Sequence, residues 1–140
     1  MKRDIEFMAI NNNGELVYGQ YYSENYVHYI RSKGKRKTVI DHIIDHETLC
    51  QSTDLIDVKN VKIFEFDILE HVKTKRKFVV LYYRGAFRLM DFDEFKRYGD
   101  GYNSVYGVDY GNSNSDISKS FRQNSHTYFK VVGNIYEKGE

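Results

Sequence analysis

The chain has 140 residues, about one domain's worth, and sets 21 Lys and Arg against 20 Asp and Glu. That balance excludes a global field steering it to nucleic acid or an anionic membrane, so a charged partner must be met by a local patch. Cys50 is the only cysteine, which excludes an intramolecular disulfide and the disulfide-stapled secreted class.

The opening MKRDIEFMAINNNG lacks an apolar core of signal-peptide length, and nowhere do about 18 apolar residues run together. The sequence therefore reads as cytoplasmic, with no membrane partner. Thirteen Tyr, nine Phe and no Pro favour strands whose turns are made by Gly, Asn and Asp.

DIEFMAI alternates at Ile5, Phe7 and Ala9, NNNG follows as a turn, and ELVYGQYY resumes with Val17 opposite Leu16, Tyr18 and Gln20. A β-hairpin is predicted. NYVHYI at 25–30 reads as a further strand, and RSKGKRK as a hairpin tip carrying Arg31, Lys33, Lys35, Arg36 and Lys37. TVIDHIIDHETLC suits a short helical turn or an extended segment equally. NVKIFEFDILEHV at 60–72 and KFVVLYY at 77–83 read as buried strands joined by KTKRK, which carries Lys73, Lys75, Arg76 and Lys77.

DFDEFKRY at 91–98 runs from acidic to basic as a short helix does, and should end by Gly99. Tyr98, Tyr102, Tyr106 and Tyr110 recur every fourth residue, but Gly99, Gly101, Gly107 and Gly111 would each cost a helix about 1 kcal/mol. An irregular Tyr/Gly/Ser-rich insertion at about 98–125 is predicted instead, a candidate loop for a partner or ligand, with at most one helical turn at Asp116 to Arg122. HTYFKVVGNIYE reads as the final strand. One domain spanning 1–140 is the expectation.

Sites are weighed by their chemistry. His42 and His46, four apart beside Asp41, Asp45 and Glu47, fall short of a metal motif, having no third ligand. Cys50 with His42, His46, His71 or His126 would make a nucleophile pair, but no nucleophile turn surrounds it. No phosphate-cradling glycine loop is present. The two basic loops can neutralise phosphates, and nearby tyrosines can stack on unpaired bases. No catalytic residue, metal ligand or cofactor is assigned.

QSTDLIDVKNVKIFEFDIL at 51–69 resembles the signature of the YopX family of phage and prophage proteins through Gln51, Thr53, Leu55, Asp57, Ile63, Phe64, Glu65, Asp67 and Ile68. DIEFMAINNNGELVYG is similar to that family's start, and VVGNIYE at 131–137, with Gly133, Asn134, Ile135 and Tyr136, to its finish. Family glycines are replaced by Asp54, Asn60 and Phe66, and a locally altered turn is expected at Phe66. The resemblance implies a mainly β fold, an SH3-like small barrel or bent antiparallel sheet with one or two short helices, from a phage or prophage of a Gram-positive bacterium. It implies no enzyme activity, and gives Glu65 and Asp67 a structural role in a turn.

The expected function is thus a non-enzymatic accessory protein that binds a host or phage macromolecule in the host bacterial cytoplasm and forms a homo-oligomer. The alternatives are nucleic-acid binding through the nine basic residues named above, and sequestration of a small nucleotide by the tyrosine loop.

Overall fold

The computed structural model describes residues 5–83, 86–98 and 116–137. The chain divides into two compact units, the first holding residues 1–52 and 136–140 and the second 53–135.

In the first unit, β1 (Phe7–Ile10), β2 (Leu16–Glu24), β3 (Val27–Lys33) and β4 (Val39–Ile43) form an antiparallel sheet in the order β4-β3-β2-β1, and the start of β5 (Cys50–Ile56) pairs with β1 at Cys50 and Gln51. The predicted first hairpin is present. The Asn11 side-chain carbonyl accepts the amides of Asn13 and Glu15, each at 2.9 Å, and Gly14 supplies the positive φ of 82°. Ala9, Val17, Ile30 and Ile44 bury one face, with Phe7, Tyr21 and Leu49 packed around them. Gly19 lies under β3, where a Cβ would collide with the carbonyl oxygen of Arg31.

Asn25 and Tyr26 do not extend the strand, as their aromatic run suggested. They form a two-residue turn with φ of 52° and 67°, between the paired Glu24 and Val27. Positive φ at both central positions is the geometry that matches the right-handed twist of the flanking strands. The segment left open between helix and strand is both extended and helical: β4 is followed by a short 3-10 turn at His46–Thr48, capped by Asp45 Oδ1 accepting the Glu47 amide at 3.0 Å.

In the second unit, the rest of β5 lies beside β6 (Lys62–Phe64), and a four-stranded antiparallel sheet runs β10-β7-β8-β9, built from β7 (Asp67–His71), β8 (Lys77–Tyr83), β9 (Ala86–Asp91) and β10 (Phe129–Asn134). Residues 60–72 are two strands, broken at Phe66. Ile63, Leu69, Phe78, Val80, Leu89, Phe121 and Phe129 form one buried cluster, and Val79, Leu81 and Met90 another. The strands close no barrel among the described residues. The fold is mainly β, with open antiparallel sheets and two short helices among the described residues.

Helix α1 (Phe92–Tyr98) follows Asp91, whose Oδ1 accepts the Asp93 and Glu94 amides at 2.9 and 3.3 Å. The second helix, α2 (Asp116–Tyr128), corrects the expectation of an irregular segment reaching 125 and of a final strand starting near His126. Phe121 is fully buried, the hydroxyl of Ser125 one turn later donates to the Ile56 carbonyl at 2.8 Å, and Tyr128 packs on the same cluster. Tertiary anchors on both sides of Asn124 hold a polar segment in helical turns. Backbone geometry breaks at Asn124 (φ −138°) before β10 begins at Phe129.

Candidate functional site

Residues 67–69 and 131–134 of the two motifs meet because β10 pairs with β7, Asn134 facing Asp67 and Val131 facing Leu69. Asp57, 1% exposed, accepts the amides of Lys59 and Val61 on Oδ1 (2.8 and 2.9 Å) and of Val131 on Oδ2 (2.8 Å). Asp67 accepts the Phe64 amide on Oδ2 at 2.8 Å and the Asn134 side-chain amide on Oδ1 at 3.0 Å. Thr53 donates its hydroxyl to the Ile63 carbonyl and accepts the Leu55 amide. Both aspartates and Thr53 are buried and turned to backbone or amide partners, which is the geometry of a structural seam.

Ile63 is fully buried in this seam, Leu55 packs against its cluster, Phe64 is buried, Glu65 and Ile68 are half-buried, Gly133 pairs with Ile68, and Gln51 and Tyr136 belong to the first unit. The three residues standing at family glycines keep left-handed backbone: Asp54 at φ 64°, Asn60 at 65° and Phe66 at 68°. The altered turn expected at Phe66 is not what forms. Its amide donates to the Val80 carbonyl at 2.7 Å, its carbonyl accepts the Ile135 amide at 3.1 Å, and its ring packs against Val79, Leu81 and Met90.

The basic candidates fall into the two units. In the first, Arg31 makes a bidentate pair with Asp41 (2.7 and 3.1 Å) and lies 5.0 Å over the Tyr22 ring. The hydrogen bond from Arg31 holds the Asp41 carboxyl below the usual carboxylate range, and Asp41 in turn raises the Arg31 guanidinium above its ordinary value. Partial burial, aided by Asp41, raises the Tyr22 hydroxyl. Lys33 ends β3, and Lys35, Arg36 and Lys37 form an exposed 3-10 turn in which Arg36 and Lys37 take φ of 57° and 64°.

Cross-strand partners share a face, and one face of β2-β3-β4 presents Tyr22, Tyr29 and Ile43 in one row, with Arg31 and Asp41 in the next and Val39 beside Lys33. Tyr22 and Tyr29 stack at 4.9 Å. Val39 is 55% exposed and Ile43 46%, while Ile40 on the opposite face is 49% exposed. β4 is also the outer strand of its sheet, with no strand neighbour beyond 39–42 among the described residues. The period of 39–44 left helix and strand equally open, and only the strand order shows that these aliphatics line an edge.

In the second unit, Lys73 lies 5.4 Å over the Tyr128 ring, while Lys75, Arg76 and Lys77 line a cleft of about 430 Å³ with Asp91, Phe92, Asp93 and Lys96. Sequence reading missed the α1 residues of this cleft because α1 meets the turn only through the β8-β9 pairing, which sets Phe78 opposite Asp91. Cys50 is fully buried, its thiol donating to the Thr48 carbonyl at 3.2 Å, out of reach of a substrate. His46 stacks on His28 at 4.1 Å, and His28 Nδ1 bonds the Tyr21 hydroxyl at 2.7 Å. Among the described residues no three His, Cys, Asp or Glu are grouped to hold a metal, and no helix is long and apolar enough to cross a membrane. Tyr98 ends α1, while Tyr102, Tyr106 and Tyr110 lie outside the described residues.

No curated protein matches the chain. A family model described as YopX protein matches residues 4–140, nearly the full length, and the chain therefore belongs to the YopX family.

Proposed function

We propose that this YopX-family chain is a non-enzymatic accessory protein of a phage or prophage, acting in the host bacterial cytoplasm by binding another protein along strand β4. The observation that carries the reading is the edge at 39–42, open among the described residues and flanked by exposed Val39, Ile40 and Ile43. An edge strand offers unpaired backbone groups that an extended segment can match, and alternate side chains then give specificity. Nucleic acid has no peptide ladder to offer. The hairpin tip beside the edge carries Lys33, Lys35, Arg36 and Lys37 with no acidic residue between them, so the complementary segment is acidic. Tyr22, Tyr29 and Arg31 on the adjoining face are of the residue types that anchor protein interfaces.

Tagged protein would be used to capture partners from Gram-positive host lysate, with and without nuclease, alongside a Val39→Asp/Ile43→Asp variant. A protein partner that survives nuclease, is lost with the variant and weakens in Lys35→Ala/Arg36→Ala/Lys37→Ala supports the reading. Material lost with nuclease and untouched by the β4 variant would overturn it in favour of nucleic-acid binding. The same edge admits a second copy of the chain, and sedimentation at micromolar concentration separates that case: a dimer abolished by the β4 variant assigns the edge to self-association.

A further inference from the structure

The cleft in the second unit lies apart in sequence from β4 and calls for a different ligand. Its lining carries four cations, Lys75, Arg76, Lys77 and Lys96, and two carboxylates, Asp91 and Asp93. The carboxylates are already engaged. Asp91 gives Oδ1 to the Asp93 and Glu94 amides and Oδ2 to Arg76 at 3.3 Å, and Asp93 pairs with Lys96 at 3.4 Å. Lys75 and Lys77 make no ion pair among the described residues, Glu70 standing across from Lys77 in the β7-β8 register, so two ammonium groups and the guanidinium edge of Arg76 border one concavity.

We infer that this cleft binds a compact phosphorylated ligand, a di- or triphosphate group held by Lys75, Lys77 and Arg76. Lysines supply point charges for phosphoryl oxygens and the guanidinium a planar fork, and such charge-assisted bonds are the strong ones. A cleft of about 430 Å³ falls within the size range of small-ligand sites, roughly 300–1,000 Å³. The Arg76–Asp91 pair is long and solvent-exposed, with side chains 60% and 33% exposed, so an incoming phosphate exchanges it at little cost. Lys75 sits at φ 64° in the turn that its amide closes on the His71 carbonyl, a left-handed position that costs a lysine about 1–2 kcal/mol relative to glycine.

The test is calorimetric titration of the full chain with sodium pyrophosphate, then ATP without divalent metal, then a single-stranded 12-mer oligonucleotide, all at matched ionic strength. Saturable pyrophosphate binding that weakens about tenfold or more in Lys75→Gly/Lys77→Gln, the scale of one lost charge-assisted contact, is the expected result. Lys75→Gly relieves the strained turn, so the variant is expected to stay folded, and circular dichroism checks it. ATP competing with pyrophosphate identifies a free nucleotide as the source of the phosphate. Oligonucleotide competing equally well assigns the same phosphate chemistry to a nucleic-acid end. Absence of pyrophosphate binding at millimolar concentration, or binding unchanged in the variant, overturns the inference, and neither result bears on β4.

Discussion

The carboxylate of Asp57 accepts the backbone amide of Val131, 74 residues away, at 2.8 Å, while its other oxygen holds the amides of Lys59 and Val61. One buried side chain thus closes its own turn and ties that turn to the last strand. Asn at this position keeps one acceptor and turns an NH2 group on an amide donor. Asp57→Asn should cost about 2–4 kcal/mol, through one lost charge-assisted bond and one unsatisfied buried donor. Urea unfolding measures the loss, and hydrogen exchange should show reduced protection at Val131. Unchanged exchange there would remove the tie.

Phe66 holds left-handed backbone while its ring packs on Val79, Leu81 and Met90. Two effects therefore compete on truncation: loss of packing destabilises, and release of φ strain stabilises. Phe66→Ala loses the ring and keeps the strain, whereas Phe66→Gly loses the ring and relieves the backbone, by about 1 kcal/mol. Both variants should be less stable than the parent, with Phe66→Gly the more stable of the two. The reverse order in chemical denaturation would contradict the backbone assignment.

Tyr26 is fully exposed at the second position of its two-residue turn, with φ 67°. It contributes no packing to offset its strain, and Asn-Gly is the preferred pair for this turn. Tyr26→Gly is expected to raise stability by about 1 kcal/mol, read as a higher midpoint in thermal or urea unfolding. A destabilised variant would mean that the ring does something in the folded state that the turn geometry does not reveal.

The Arg31–Asp41 pair makes a pH prediction. Asp41 has its folded-state pKa lowered by the Arg31 hydrogen bond, so its contribution is present above the ordinary carboxylate range and is lost as pH falls through the lowered value. Asp41→Asn should differ from the parent most at neutral pH, and the two stability curves should converge in acid. Both side chains are well exposed, at 52% and 36%, so the difference is small and shrinks in high salt. A gap independent of pH would assign the effect to packing instead.

Much of the β architecture was legible locally. Alternation along 5–9 and the NNNG turn specify the first hairpin through i, i+2 side-chain placement and short-range hydrogen bonds. Asp91 and the acidic-to-basic run did the same for α1. The turn at Asn25 and Tyr26 was hidden because tyrosine favours strands and seldom takes positive φ; the pairing of β2 with β3 imposes that geometry on it.

Composition, the repeated two-residue period and the 51–69 and 131–137 motifs by themselves determined a mainly β chain of the YopX family. Three things needed the tertiary structure. Helix α2 runs past Arg122 because Phe121 and Ser125 find partners on distant strands. Strand β4 is an edge because of the order in which strands pair, which no local pattern encodes. Lys75 and Lys77 share a cleft with Lys96 because β8 pairs with β9 and brings α1 to the turn. Local preferences act between near neighbours in the chain, whereas burial, edges and clefts arise from contacts between residues far apart in it, where packing outweighs propensity.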